Sequence, residues 1–145
     1  MKKLMLTLVI ALFASNFVTA QSNELRKGEK LEGKKNLMSA NGLFMLRMQA
    51  DDGHLCVYKV KNTRDQGEFV WGNGVHGFNG SKLVMQEDGN LVVYDNENTA
   101  KWNSGTHPYH NSKFQDSSLK PVKLVLTNEG KLKMYNASNV EVWSN

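Results

Sequence analysis

The chain has 145 residues, 22% of them charged, and a formal net charge of +4. That length suits one domain, and so mild a positive balance argues against a nucleic-acid surface. The one cysteine, Cys56, excludes an internal disulfide. It lies in a strand-like run, which points to a packed thiol, with an intermolecular bridge as the other reading.

Residues 1–20 read as a secretory signal peptide. Lys2 and Lys3 form a basic start, Leu4 to Ala14 is apolar apart from Thr7, and Val18-Thr19-Ala20 supplies small residues at the cleavage positions. The apolar run is too short to span a bilayer as a helix. The mature chain is expected to begin near Gln21 and to be exported, either to the extracellular space or to a periplasm. An uncleaved anchor is the alternative. Without Lys2 and Lys3 the balance is 16 basic to 14 acidic residues, a charge of +2.

Beyond residue 20 no window holds apolar residues at helical spacing over three turns. Short apolar runs separated by Gly, Asn and Asp predict an all-β domain. A repeat emerges along it. Its copies are Leu46 to Tyr58 (LRMQADDGHLCVY), Leu83 to Tyr94 (LVMQEDGNLVVY) and Leu124 to Tyr135 (LVLTNEGKLKMY). Gly53, Gly89 and Gly130 are 36 and 41 residues apart, and each copy is followed by a strand bearing a tryptophan: Trp71, Trp102 or Trp143. Each copy is also expected to start with its own leading strand. Three units of about four strands predict three small antiparallel sheets around a pseudo-threefold axis, since none could bury its apolar face alone. The three tryptophans are expected to pack against one another there.

The second copy sets the register. A three-residue turn, Glu87-Asp88-Gly89, places Gln86 opposite Asn90, Met85 opposite Leu91 and Leu83 opposite Val93. Leu83, Met85, Leu91 and Val93 then form a core face. Gln86, Asn90, Val92 and Tyr94 form the other face, with Asp88 at the tip. Such an array of donors and acceptors around one apolar side chain matches a sugar, which offers hydroxyls and a C–H face. The competing reading is a plain solvated hairpin face.

Gln86-x-Asp88-x-Asn90-x-Val92-x-Tyr94 resembles the QxDxNxVxY site of the bulb-type (monocot or lily-type) mannose-binding lectins. Val93-Tyr94-Asp95 and Lys101-Trp102-Asn103-Ser104-Gly105-Thr106 resemble the continuation of that motif, and the opening Gly33 to Gly42 resembles the family's. The resemblance covers roughly Leu25 to Asn145 and implies a β-prism II fold. It also implies roles. Gln86, Asp88 and Asn90 would bond the 2- and 3-hydroxyls of mannose, Tyr94 the 4-hydroxyl, and Val92 would touch the ring carbons. No cofactor or metal is implied. Many plant relatives carry a disulfide, which this chain must do without. Relatives often dimerise by exchanging a C-terminal strand. Here the chain stops at Asn145, two residues after Trp143, so a monomer or weak homodimer is expected.

The other copies depart from the motif. In the first, a four-residue turn lets Gln49, Asp52 and Tyr58 match, but His54 replaces Asn and Cys56 replaces Val. In the third, Thr127, Glu129, Lys131 and Lys133 stand where Gln, Asp, Asn and Val belong, and only Tyr135 remains.

Gly105 to Pro121 lacks periodicity and is long for a connection, which points to function or mobility. His107 and His110 have no acidic or sulfur cluster beside them to make a metal site. Asn79-Gly80-Ser81 and Asn136-Ala137-Ser138 fit the glycosylation pattern. Asp51, Asp52, Glu87 and Asp88 form no credible glycosidase pair, because nothing implies a pocket that would raise an acid's pKa. The sequence therefore predicts a binding protein and no enzyme, with no nucleic-acid partner and no membrane insertion after cleavage. A β-prism module with altered sugar function, such as a lectin-like toxin or bacteriocin, is the rival reading.

Overall fold

The computed structural model describes residues 21–62 and 65–145; the expected signal peptide lies outside them. Twelve strands form three four-stranded antiparallel sheets, with two short 3₁₀ turns and no α-helix among the described residues. This is the β-prism II arrangement. None of the described helices is long and apolar enough to cross a membrane.

Each repeat supplies three consecutive strands. These are β4 (Phe44–Met48), β5 (Leu55–Asn62) and β6 (Asp65–Gly72); β7 (Gly80–Met85), β8 (Leu91–Asp95) and β9 (Ala100–Asn103); and β10 (Pro121–Leu126), β11 (Leu132–Asn136) and β12 (Glu141–Ser144). The fourth strand of every sheet comes from one N-terminal segment holding β1 (Glu24–Arg26), β2 (Lys30–Glu32) and β3 (Asn36–Met38). β3 joins the first repeat's sheet, β2 the second's and β1 the third's. This corrects the expectation of a leading strand within each copy. Only the first repeat has one; the other two borrow theirs. Leu25, Leu31 and Leu37 sit at the centres of these strands, six residues apart, and are 3–4% exposed.

Strand parity builds the core. The four inward residues of each hairpin superpose as sets: Leu46, Leu83 and Leu124; Met48, Met85 and Leu126; Leu55, Leu91 and Leu132; Val57, Val93 and Met134. All belong to one cluster and are 0–2% exposed. Burying one such side chain contributes about 1.5–3 kcal/mol. Trp71, Trp102 and Trp143 pack on the rim of this cluster and stay partly exposed. The expectation that they meet one another fails: no two are in ring contact among the described residues. The reason is their place on β6, β9 and β12, the outer strands of the sheets, opposite Val57, Val93 and Met134. There they cover the ends of the core, while leucine and methionine fill its middle.

The turns repeat as well. Asp95 Oδ1 accepts from the Glu97 and Thr99 amides, at 2.9 and 2.8 Å. Asn136 Oδ1 accepts from Ser138 and Val140 in the same way, at 3.1 and 2.8 Å. The Thr99 amide is the main cause holding the Asp95 carboxyl below the ordinary range, against the opposing effect of burial; Lys101 assists it. Asn136 is 5% exposed, and its amide donates to the Ser118 carbonyl at 2.8 Å. It is therefore closed to glycosylation, which leaves Asn79 as the open sequon. Cys56 is a free, fully buried thiol, as expected, and burial pushes it up to about 11.

If the N-terminal segment ties the sheets together, trimming one of its leucines should weaken the whole domain. Leu31→Ala should destabilise by about 2–5 kcal/mol. Urea unfolding followed by tryptophan fluorescence should show one cooperative transition at a lower midpoint.

Candidate functional site

The hairpin between β7 and β8 has the register that parity required. Met85 faces Leu91, and the Gln86 amide donates to the Asn90 carbonyl at 2.9 Å, leaving Glu87, Asp88 and Gly89 as the turn. Gly89 has φ +89°, a left-handed conformation that costs glycine nothing. Its hydrogen atom also faces Lys120 and Pro121, with a hypothetical Cβ only 2.8 Å from Lys120 Cγ.

The structure brings together all five motif residues. Gln86 and Tyr94 are joined by a hydrogen bond from Nε2 to the phenol oxygen. Asp88 Oδ1 accepts from the Asn90 amide at 2.8 Å, an Asx turn that holds the carboxylate at the tip. Asn90 is 6% exposed, and its Oδ1 accepts from Ser104 Oγ at 3.1 Å. That choice turns its Nδ2 outward, and this nitrogen has no protein partner among the described residues. Val92 is 3% exposed and forms the floor, between Val84 and Asn103 on the neighbouring strands. Glu87 points away, toward Lys27 at 3.6 Å. A shallow groove of about 550 Å³ runs past Gly28, Val84, Gln86, Glu87 and Asp88. A groove of equal volume lies inside the N-terminal segment, from Gln21 to Leu37. Two of its polar side chains are engaged locally, Ser22 on Glu24 and Glu29 on Arg26.

Two further residues complete the site, and the motif does not contain them. Thr106 is fully buried, and its hydroxyl donates to the Gly89 carbonyl at 2.8 Å while lying 2.8 Å from Ser104 Oγ. His107 Nε2 lies 3.2 Å from Asp88 Oδ2. His107 Nδ1 accepts from the Tyr109 amide at 3.1 Å, which fixes the ring with Nε2 on the Asp88 side. The segment after β9 is therefore clamped to the tip of the hairpin. The sequence did carry a hint of it. Trp71-Gly-Asn-Gly-Val-His76 and Trp102-Asn-Ser-Gly-Thr-His107 share their tryptophan, glycine and histidine positions.

The first copy keeps the same frame. Gln49 faces His54 across a four-residue turn, Tyr58 bonds Gln49 at 2.9 Å, and Asp52 accepts from the His54 amide at 2.9 Å. The content differs. Phe69 stands across from Tyr58, where Ala100 faces Tyr94. The His54 ring lies over Gly72, with Nε2 buried and unpartnered. In the third copy Lys133 pairs with Glu141 at 2.8 Å, closing the face with an ion pair. No group of three or more His, Cys, Asp or Glu side chains able to hold a metal occurs among the described residues.

No protein-family model matches the sequence. Over 125 residues it is 30% identical to the B-type lectin plumieribetin of Scorpaena plumieri, covering 86% of this chain and 90% of that protein. The chain belongs to the B-type lectin family. Solved structures agree with this B-type lectin in fold. The mannose-specific agglutinin of snowdrop (Galanthus nivalis) bulbs, solved with methyl-α-D-mannoside, has a TM-score of 0.62 and 27% identity, over 80% of this chain and 91% of that one. A monomeric monocot mannose-binding lectin from Gastrodia elata gives 0.61 and 28%, over 85% and 96%. The Marasmius oreades lectin gives 0.66 and 25%, over 87% and 92%.

Thr106 supports the site by hydrogen bonds that no apolar side chain can replace. Thr106→Val keeps the volume and leaves the Gly89 carbonyl without its partner. It should cost about 1–3 kcal/mol of stability, read from the urea midpoint of the variant against the parent protein.

Proposed function

We propose that this B-type lectin is an exported protein that binds mannose or mannose-containing glycans through Gln86, Asp88, Asn90, Val92 and Tyr94. The observation that carries the reading is the state of Asn90. Its carbonyl is fixed by Ser104, its amide is left without a protein partner, and Asp88 stands beside it over the apolar floor of Val92. Donor and acceptor are thus held ready for adjacent hydroxyls before a ligand arrives, which lowers the ordering cost of binding. The mannose-binding neighbours, one of them solved with a mannoside, support the choice of sugar.

On this reading Asp88 accepts from a hydroxyl, Asn90 Nδ2 donates to one, Gln86 and Tyr94 together meet a third, and Val92 touches ring carbons. A sugar lacking one of these hydroxyls leaves a polar group of the site unpaired, which is how such a site discriminates. No step requires a metal, and the site binds without transforming its ligand. The reading includes a monomer or weak homodimer. A single such hairpin per chain then gives little avidity. The departures at His54 and Lys133 favour one specific alternative, a β-prism interaction module whose sugar binding is reduced.

One shallow site should bind monosaccharide with a dissociation constant on the order of millimolar, about −4 kcal/mol. Asp88→Ala or Asn90→Ala removes a hydrogen bond worth about 1–3 kcal/mol, which should abolish measurable binding of methyl-α-mannoside in an NMR titration and leave the amide spectrum folded. Lys131→Ala should bind like the parent. Retained binding in Asp88→Ala, with loss in Lys131→Ala, would place the site elsewhere. Export is tested separately: N-terminal sequencing of the protein recovered outside the cytoplasm should begin at or near Gln21, and recovery of Met1 would count against cleavage.

A further inference from the structure

The five-residue motif leaves the segment after β9 without a role in binding, although that segment is attached to the turn of the hairpin. Thr106 is buried against the Gly89 carbonyl, and His107 Nε2 lies 3.2 Å from Asp88 Oδ2. The chain then turns tightly. The His110 and Asn111 amides both donate to the His107 carbonyl, at 3.1 and 3.0 Å, and Asn111 Nδ2 returns to the Gly105 carbonyl at 3.3 Å. Phe114, 3% exposed, anchors the far side in the core.

This turn holds Tyr109 in the open. Its ring stacks on the His107 imidazole, with centroids 5.1 Å apart and planes at 26°. It is nevertheless 88% exposed, the most exposed large hydrophobic side chain in the described structure. The stack is offset and tilted, so it touches only part of one face and leaves the rest of the ring to water. Its position is one imidazole away from the Asp88 carboxylate.

The first repeat shows what an aromatic ring at this point does when it serves packing. There the residue two beyond the histidine is Phe78, and its ring presses on the turn glycine: a Cβ on Gly53 would lie 2.3 Å from Phe78 Cε2. Phe44 does the same at Gly130, at 2.6 Å. In the second repeat Lys120 and Pro121 occupy that place over Gly89. Tyr109 is thereby released from the packing role and aimed outward beside the site. A single exposed ring needs no explanation by itself, but this one stacks on the imidazole that lies beside Asp88, and its electron-rich face attracts the polarised C–H groups of a pyranose ring.

We propose that Tyr109, backed by His107, is a second sugar subsite, holding the pyranose linked to the mannose in the hairpin. The proposal rests on the hairpin binding mannose. The ligand class is a mannose-containing oligosaccharide of at least two rings, the first read by hydrogen bonds and the second by stacking. Because Tyr109 carries almost no buried surface, its removal leaves the fold untouched.

The experiment titrates methyl-α-mannoside and the α1,2-, α1,3- and α1,6-linked mannobioses into the parent protein, Tyr109→Ala, Tyr109→Trp and Asp88→Ala. At least one mannobiose should bind the parent about threefold to tenfold more tightly than the monosaccharide. Tyr109→Ala should erase that gain with no change toward the monosaccharide, and Tyr109→Trp should keep it. A parent with no gain for any mannobiose overturns the proposal. So does a Tyr109→Ala variant that keeps the gain, or one that weakens monosaccharide and disaccharide alike. Mannose binding that survives Asp88→Ala overturns the hairpin reading instead, and the subsite with it.

Discussion

The structure depends on a shared burial. Each hairpin has one apolar face of four side chains, and an isolated hairpin or small sheet cannot keep such a face dry. Three faces turned toward one axis solve the problem for all of them at once. The leucine, methionine and valine sets at equivalent positions are the result. Everything polar follows from this. Because side chains alternate along a strand, fixing Leu83, Met85, Leu91 and Val93 inward sends Gln86, Val92 and Tyr94 to the other face. The site is the outer face of a surface whose inner face is the core.

That coupling also explains how the copies diverge without loss of fold. The inner residues are constrained by the shared core, whereas the outer ones pack only within their own sheet and its flanking loops, as Val92, Asn90 and Cys56 do. The second copy holds an unfilled donor at Asn90. The first places an aromatic wall and a buried imidazole at the same location, and the third closes the face with a lysine and a glutamate. The same backbone frame, down to the bond between the tyrosine and the glutamine in two of the three, carries three different surfaces.

Much of this was legible in the sequence. The second hairpin's register followed from parity, because a turn one residue shorter would have mixed Gln86 with Leu91. The three-sheet architecture followed from the spacing of Gly53, Gly89 and Gly130. Two features were not read. The N-terminal strands are three residues long, too short for alternation to show, and their partners lie far along the chain. Only Leu25, Leu31 and Leu37, at a constant spacing of six, signal them. The contact between His107 and Asp88 was also missed, since the histidine was weighed as a metal ligand with its sequence neighbours and its partner lies across a turn. The tryptophans were placed at the axis because their rings are large. The structure puts them on outer strands, where a large ring covers more of an open end than it could fill of a narrow centre.

The N-terminal segment has a consequence for how the domain assembles. Leu25 pairs with Leu124, 99 residues further along the chain, while Leu31 meets Leu83 and Leu37 meets Leu46. During synthesis the first strand to emerge is the last of the three to be satisfied, because β1 must wait for β10, whereas β3 finds its partner in β4. Pairings this distant in the chain give a high contact order and a slow closing step. Until then the strand edges and leucines of this segment stay exposed to other chains. The final closure can happen only once β10 has been made.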